Sequence, residues 1–225
     1  MMAISESLQA VKTRIAEACV SAGRPPDAVQ LLVVSKTFPG AAVREAFAAG
    51  ARAFGENYVQ EGLAKVGELI DLRGQIEWHL IGPLQSNKTR PIAEQFDWVH
   101  SVDRLKIAER LSEQRPAGLP PLNVCLQVNI SEEASKSGLA PAEVAPLARR
   151  VAALPRLKLR GLMAIPEPGP GALAQHQAMA ALFRSLQAEG LALDTLSLGM
   201  SADLEDAIRA GSTMVRVGTA VFGAR

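Results

Sequence analysis

The stretch Leu31-Leu-Val-Val-Ser-Lys-Thr37 is a short β-branched run that ends in polar residues, and a turn at Phe38-Pro-Gly40 follows it. Such a run predicts a buried strand, and the amphipathic segment after the turn predicts a helix. Outward from this stretch, the same strand-then-helix unit recurs along the chain. This alternation is typical of parallel strands joined by right-handed helical crossovers.

Eight runs of this type occur along the chain. They are Leu31–Ser35, Ala53–Gly55, Glu77–Ile81, Trp98–Ser101, Asn123–Asn129, Leu159–Ile165, Thr195–Leu198 and Thr213–Val217. Eight strands in 225 residues favour a closed (β/α)8 barrel over an open doubly wound sheet. The first strand–helix turn also lacks the G-x-G-x-x-G pattern of a nucleotide-binding open sheet. We therefore predict an α/β fold, with a single TIM-type barrel domain over residues 1–225.

An additional helix is predicted ahead of the first strand. Ile4, Leu8, Val11 and Ile15 repeat at spacings of three and four residues, which places them on one helical face. We expect this helix, within residues 1–22, to pack on the barrel.

The charge balance excludes several classes of partner. The chain carries 24 Lys and Arg residues against 23 Asp and Glu residues and has no basic tract, so it offers no electrostatic surface for nucleic acid or an anionic membrane. No apolar run reaches the roughly 18 residues that a membrane span needs, and the N-terminus lacks the apolar core of a signal peptide. We expect a cytoplasmic protein without bound metal, in which Cys19 and Cys125 are buried and reduced.

Lys36 is the first candidate site residue. In a barrel of this type the functional residues lie at the carboxyl ends of the strands, and Lys36 directly follows the first strand. Alternation puts it on the same face as Leu32 and Val34. If that face is the barrel interior, a partly desolvated amine at the barrel mouth is suited to form a Schiff base. The alternative is a solvated lysine at the end of a strand.

Arg216 is the second candidate, because it lies within the apolar run of the last strand. A buried guanidinium needs an acceptor. The first and last strands are neighbours in a closed barrel, so Arg216 is expected beside the Lys36 site. The alternative is a structural ion pair with Glu56 or with another carboxylate at a strand end.

Two loops near the C-terminus form a candidate phosphate site. The loop after the seventh strand leads into a helix with Ser201 as its expected N-cap, and Gly218 and Thr219 follow the eighth strand. Barrels often bind phosphate groups on these loops. Asp203 and Glu205 would repel a dianion unless they point away from it. The alternative role of Ser201 is that of an N-cap alone.

Together, these features describe a pocket for a phosphorylated aldehyde. Pyridoxal phosphate (PLP) fits them, with an aldimine to Lys36, its phosphate on the two loops and its pyridine nitrogen facing Arg216. A permanently charged arginine there keeps the ring nitrogen unprotonated and makes the cofactor a weak electron sink. PLP is therefore the predicted cofactor, and carbanion chemistry is disfavoured.

Other polar residues have weaker assignments. Asn57 follows the second strand and is placed to hydrogen-bond the 3′ oxygen of PLP or a substrate. His79 lies within the third strand, where a core histidine is more common than a catalytic one. Residues 131–138 form a polar loop after the fifth strand that is either a lid or a solvated connection. His176 lies on a predicted helix and is expected to be exposed.

Several motifs, in this order, resemble one known family. They are the stretch at 31–37, Phe54-Gly-Glu-Asn-Tyr58, Trp78-His-Leu-Ile-Gly-Pro-Leu-Gln-Ser-Asn-Lys88, His100-Ser-Val-Asp103, Ser135-Lys-Ser-Gly138, Gly161-Leu-Met163, Gly199-Met-Ser201 and the stretch at 211–223. The pattern is similar to that of the pyridoxal phosphate homeostasis protein family. The resemblance implies the barrel of the alanine racemase N-terminal domain and no robust turnover. It also implies a PLP lysine at Lys36, a ring-nitrogen arginine at Arg216, and phosphate contacts at Ser201, Gly218 and Thr219.

The choice between carrier and enzyme rests on a second catalytic base. Racemases of the resembling type use the lysine and a tyrosine from a C-terminal β-domain, whereas this chain stops at Arg225 and its one tyrosine is Tyr58. A general base contributes typically ~10²–10⁴-fold to rate. We predict a monomeric PLP carrier in vitamin B6 and amino-acid homeostasis, with apo PLP enzymes as candidate partners. A weak amino-acid racemase and a class I aldolase-like enzyme are the alternatives.

Overall fold

The computed structural model describes residues 3–131, 137–167 and 169–223. Eight parallel strands close into a barrel, because each strand pairs with the next and β8 pairs back onto β1. The strands are β1 (Gln30–Val34), β2 (Ala53–Glu56), β3 (Glu77–Leu80), β4 (Trp98–Val102), β5 (Leu122–Gln127), β6 (Leu157–Met163), β7 (Thr195–Ser197) and β8 (Met214–Val217). The predicted closed barrel is confirmed.

A helix follows every strand and covers the outside of the barrel. The helices are α1 (Ile4–Ser21), α2 (Gly40–Ala48), α3 (Val59–Glu68), α4 (Thr89–Gln95), α5 (Leu105–Gln114), α6 (Pro141–Ala152), α7 (Ala172–Ala188), α8 (Leu204–Ala210) and α9 (Thr219–Phe222). Short 3₁₀ turns lie at Ile70–Leu72 and Ser86–Lys88. Within the described ranges, no helix has the length and apolar character needed to cross a membrane.

The additional N-terminal helix is confirmed as α1. Its apolar stripe, which includes Leu8, Val11 and Ile15, is buried. The helix packs against α2, α8 and α9, so it joins the two chain segments that flank the closure between β8 and β1. The extension of one domain over all 225 residues stays a prediction, because residues 1–2, 132–136, 168 and 224–225 lie outside the described ranges.

Side chains on the strands alternate between the outer core and the barrel interior. Val33 belongs to the large apolar core between the sheet and the helices. Leu32 and Val34 belong instead to a small separate cluster, with Met214 of β8 among its members. Leu32 and Val34 therefore face the barrel interior, which is the condition on which the Lys36 assignment depends.

The strand boundaries differ from the predicted ones by one or two residues. β6 ends at Met163 rather than at Ile165, and β5 ends at Gln127, after which Val128 forms an isolated bridge.

Both cysteines are buried free thiols, as expected. Burial raises the pKa of Cys125 to about 12. Most of the predicted 131–138 loop lies outside the described residues, so its role as a lid stays a hypothesis.

Candidate functional site

Four neighbouring strands bring the predicted site residues to one end of the barrel. β7, β8, β1 and β2 are consecutive in the closed ring. Because all the strands are parallel, their carboxyl ends lie on the same face. Lys36 follows β1, Asn57 follows β2, Ser201 lies in the loop after β7, and Gly218 and Thr219 follow the last residue of β8. The topology therefore gathers residues that lie far apart in the sequence.

Lys36 lies in a tight turn after β1 and is half-buried. The Phe38 amide donates to the Ser35 carbonyl at 3.0 Å and closes this turn. Thr37 has a φ of +66°, a left-handed conformation that costs a non-glycine residue roughly 1–2 kcal/mol. Its amide donates to the Glu61 carboxylate. Because such strain persists only where the surroundings impose it, the turn that carries Lys36 is held in a fixed shape.

The buried Lys65 supports the turn from the adjacent helix. Its ammonium group donates to the Ser35 carbonyl at 2.6 Å and to the carboxylates of Glu56 and Glu61 at 2.7 Å each. The Ser35 hydroxyl donates to Glu56 at 2.5 Å. Burial raises the pKa of Glu56, although the hydrogen bonds from Lys65 and Ser35 oppose the rise. Glu56 is thus the partner of Lys65, and the alternative that it pairs with Arg216 is wrong.

Arg216 projects from β8 and is only 4% exposed. Its guanidinium donates to the Ser197 carbonyl at 2.7 Å, to the Ser197 hydroxyl at 2.8 Å and to the Ala164 carbonyl at 2.9 Å. These bonds use three of its five N–H donors. All three acceptors are uncharged oxygens, and burial lowers the pKa of Arg216 to about 10. Within the described ranges the cation has no ion-pair partner, so it retains both charge and donors for a ligand.

Asn57 is among the residues that line a cavity at the same end of the barrel. The Asn57 Oδ1 atom is buried and has no hydrogen-bond partner among the described residues. Gly82 lies against the Asn57 backbone, and a Cβ on Gly82 would come within 1.9 Å of the Asn57 carbonyl oxygen. Only glycine lets the two loops approach this closely. An unpaired buried amide oxygen beside a cavity calls for an explanation, and a bound group is one that would complete its hydrogen bonding.

The loop after β7 differs from its predicted form. α8 begins at Leu204 with Asp203 as its N-cap, so the predicted N-cap role of Ser201 is wrong. The reason is that the Asp203 carboxylate accepts from the Met200 amide at 2.7 Å, which forms a turn ahead of the helix. Ser201 itself is half-buried, and its side chain is available for contacts other than capping.

The two acidic residues near this loop are both occupied by donors from other helices. Asp203 accepts from the His176 ring at 2.9 Å, and Glu205 accepts twice from Arg14 of α1, at 2.5 and 2.6 Å. Burial alone would raise the pKa of Asp203, but its hydrogen bonds lower it below the usual value. The hydrogen bond from Arg14 lowers the pKa of Glu205. Arg14 also donates to the Ser201 carbonyl at 2.9 Å, so α1 fixes the loop and neutralises an acid beside it.

Gly218 allows the loop after β8 to cross the end of β1. A Cβ at Gly218 would lie 2.8 Å from the Val34 carbonyl oxygen, which is closer than a side chain can approach. The next residue, Thr219, is exposed and begins α9. Backbone amides and a hydroxyl therefore lie close to the strand that leads to Lys36.

Comparison with known proteins gives the family. The model of the alanine racemase N-terminal domain matches residues 7–225. The pyridoxal phosphate homeostasis protein of Pseudomonas aeruginosa is 65% identical over 225 residues, which cover 100% of this chain and 97% of that protein. The Escherichia coli K12 protein of the same name is 56% identical over 226 residues, which cover 99% of this chain and 97% of that protein. The chain belongs to the pyridoxal phosphate homeostasis protein family.

Solved structures agree with this assignment. PipY of Synechococcus elongatus PCC7942, solved with PLP bound, is 43% identical with a TM-score of 0.80, and the match covers 93% of this chain and 100% of PipY. Alanine racemase from Streptomyces coelicolor A3(2) is 21% identical with a TM-score of 0.74, and the match covers 98% of this chain and 59% of the racemase. The racemase shares the barrel fold with this chain.

Histidines are the residues that sequence reasoning placed least well in this family member. His176, expected to be exposed, is fully buried and binds Asp203. It lies on the same helical face as Ala172, Met179 and Ala180, all of which are buried, so extending the apolar stripe one turn back would have found it. His79 is a buried residue with hydrogen-bond partners, as expected, whereas the partners of His100 had no signal in the sequence.

Proposed function

We propose that this protein binds pyridoxal phosphate as an aldimine on Lys36 and releases it again, acting as a carrier in vitamin B6 and amino-acid homeostasis without robust turnover. The observation that carries the proposal is the buried charge of Arg216, which has no ion-pair partner among the described residues and lies beside the strand that leads to Lys36. A buried cation held only by neutral oxygens favours a ligand that supplies an acceptor at that point. The pyridine nitrogen of PLP is such an acceptor.

The other side chains fit the remaining parts of the ligand. An aldehyde condenses with a primary amine and releases one water molecule, and this reaction is the chemistry that PLP supplies when bound. The held turn after β1 carries Lys36, and Asn57 is the proposed contact of the 3′ oxygen, to which its Nδ2 group would donate. Ser201, Gly218 and Thr219 are the proposed phosphate contacts, supported by the neutralised acids around their loops.

Two residues, Arg216 and Tyr58, support a carrier function over a catalytic one. An arginine at the ring nitrogen keeps that nitrogen unprotonated and so weakens stabilisation of a carbanion. Tyr58, the one tyrosine of the sequence, is 58% exposed and lies after β2.

Apo PLP enzymes are the proposed recipients of the cofactor. The monomeric state stays a prediction that light scattering tests.

Borohydride reduction followed by peptide mapping tests the binding proposal. After incubation with PLP and reduction, we expect one pyridoxyl group per chain, on the peptide that contains Lys36. Lys12→Ala, which removes a lysine at the other end of the barrel, should leave the labelling unchanged. A wild-type protein labelled mainly on another peptide, or not labelled, would overturn the proposal.

A separate measurement tests the absence of turnover. The PLP-loaded protein is incubated with L- and D-amino acids in deuterated water, and exchange of the α-hydrogen is followed by NMR. We expect no exchange above the rate of free PLP at the same concentration. Robust exchange would replace the carrier function with that of a racemase and would leave the assignment of the binding residues intact.

A further inference from the structure

A line of polar side chains runs through the middle of the barrel, where the proposed function assigns no role. Its members lie on β3, β4 and β7, and they are Glu77, His79, His100 and Ser197. His79, His100 and Ser197 have no exposed surface, whereas the Glu77 side chain is 41% exposed. Apolar clusters lie on both sides of the line in the interior. Polar groups in such a place are retained only where hydrogen bonds satisfy them.

The line is continuous from the amino end of the barrel to Arg216. Glu77 Oε1 lies 2.9 Å from His79 Nε2, and His79 Nδ1 lies 2.9 Å from His100 Nε2. His100 Nδ1 lies 3.1 Å from the Ser197 hydroxyl, which also accepts from Arg216 at 2.8 Å. Four hydrogen bonds thus connect a partly exposed carboxylate to the proposed ring-nitrogen contact.

When both histidines are neutral, the Glu77 carboxylate fixes the direction of every bond in the line, and the Arg216 end is compatible with that direction. Arg216 can only donate, so Ser197 accepts from it and has its own hydrogen left for His100 Nδ1. His100 must then carry its hydrogen on Nε2 and donate to His79. His79 in turn donates through Nε2 to Glu77, which as a carboxylate can only accept. The opposite direction would set two acceptors against each other at Glu77. In the neutral state, both histidines therefore carry their hydrogen on Nε2.

We propose that Glu77, His79, His100 and Ser197 form a positioning chain that fixes the orientation and the donor pattern of Arg216 and connects them to proton uptake at the amino end of the barrel. The proposal rests on the proposed function in one respect, namely that Arg216 faces the ligand. These residues act through Arg216 and not on the ligand itself.

The charges around the histidines favour the neutral state. Glu77 and Asp97 lie near His79, Arg160 lies over the Trp98 ring that stacks on His79, and Arg216 lies beyond Ser197. Burial lowers the pKa of His79, with Glu77 opposing the change. Burial lowers the pKa of His100 well below its usual value, and the charge of Arg216, with that of His79 when His79 is protonated, acts in the same direction.

One added proton would reverse the chain. A protonated His79 presents Nδ1–H to His100 Nε2–H, so His100 must move its hydrogen to Nδ1 and point it at Ser197. The Ser197 hydroxyl then faces donors from both His100 and Arg216 and must turn its own hydrogen away. A proton taken up beside Glu77 therefore changes the acceptor that holds Arg216 at the other end.

Nitrogen NMR on the ligand-free protein tests the direction of the chain. The sequence contains three histidines, so His79→Gln and His100→Gln assign the signals. At pH 7 we expect His79 and His100 to be neutral, with the hydrogen on Nε2 in both. A charged ring, or a hydrogen on Nδ1 in either residue, would overturn the proposal without reference to PLP.

Trp98 provides a second readout, because its ring lies 5.1 Å from that of His79 and 5.8 Å from that of His100. A protonated imidazole quenches a neighbouring indole, so we expect fluorescence to fall in a step below pH 6.5, and Trp98→Phe to remove that step. Ser197→Ala removes the hydroxyl that partners His100 Nδ1 in both states of the chain, so it should shift the midpoint. Ser212→Ala is the control, since the Ser212 hydroxyl is buried but bonds only to the carbonyls of Leu196, Leu198 and Met214.

Titration with PLP completes the test. Ser197→Ala should weaken binding about fivefold, the usual effect of one lost hydrogen bond, while Ser212→Ala lowers thermal stability and leaves both the affinity and the fluorescence midpoint unchanged. Equal effects of the two variants would show that Ser197 is structural only and would overturn the chain. If the wild-type protein forms no Lys36 adduct, the proposed function fails, and the NMR and fluorescence results still decide the chain.

Discussion

At the scale of single residues, the proposed binding site depends most on the position of Arg216. The guanidinium lies in the interior with three neutral acceptors and two unused donors. Its place in the apolar run Met214–Val217 could be predicted from the sequence. Its acceptors could not, because Ser197 ends β7, Ala164 follows β6, and only the register of the closed sheet brings them to Arg216.

The first prediction concerns the shape of the cation. Arg216→Lys keeps the charge but replaces a planar fork with a single ammonium group, which cannot reach Ser197, Ala164 and a ligand at once. We expect the dissociation constant for PLP, measured by absorbance titration, to rise at least about tenfold, equivalent to about 1.4 kcal/mol.

A matched control is available at the opposite end of the barrel. Arg115 is also buried, and its guanidinium is likewise held by carbonyl oxygens, those of Ala93, Phe96 and Pro120. Arg115→Lys should lower the melting temperature and leave PLP affinity at the wild-type value. If both variants lose affinity equally, the loss reflects a general weakening of the fold, and the role given to Arg216 is wrong.

At the scale of elements, α1 does more than cover the barrel. Its apolar stripe packs on the closure between β8 and β1, and its polar face reaches the loop after β7 through Arg14. The stripe predicts the helix. The hydrogen bond from Arg14 to the Ser201 carbonyl could not be predicted from the sequence. It depends on the turn in which the Asp203 carboxylate accepts from the Met200 amide, so that α8 begins after Ser201. A turn built by one side chain leaves no periodic signal.

The second prediction separates these two roles of α1. In Arg14→Ala, Glu205 loses its partner and the Ser201 carbonyl loses its donor, so the loop carries an uncompensated negative charge. We expect PLP affinity to fall severalfold, while stability changes by less than about 1 kcal/mol, because exposed ion pairs contribute little to folding.

Arg44→Ala is the control for this experiment. Arg44 forms a somewhat more exposed two-point pair with Asp71, at 2.7 and 2.8 Å, away from the loop. Its loss should leave affinity unchanged. The interpretation of α1 as a support for the phosphate loop fails if the Arg14 variant binds PLP as tightly as the Arg44 variant.

At the scale of the whole molecule, the buried histidines make stability depend on pH. His79 and His100 have pKa values below their unfolded value of about 6.5. As the pH falls below 6.5, the unfolded chain takes up protons that the native chain does not. Their contribution to stability is therefore complete above pH 6.5 and is lost as the pH falls toward their native pKa values.

The third prediction follows from this loss of stability at low pH. Between pH 6.5 and 5, the free energy of unfolding, measured by urea denaturation, should fall with a slope that approaches about 1.4 kcal/mol per pH unit for each histidine. His100→Gln removes one such group and should make the slope shallower. The same slope in wild type and variant would contradict the assignment of His100 as a neutral buried residue.

The pairing of β8 with β1 sets when the binding site comes into existence. Leu32 and Arg216 lie opposite each other in the sheet although nearly the whole chain separates them. Closing so long a loop costs entropy before its contacts repay it, and contacts of this kind form late in folding. A chain emerging from the ribosome presents Lys36 long before Arg216 has been synthesised. On the proposed function, the site that holds the cofactor is therefore complete only in finished molecules whose barrel has closed.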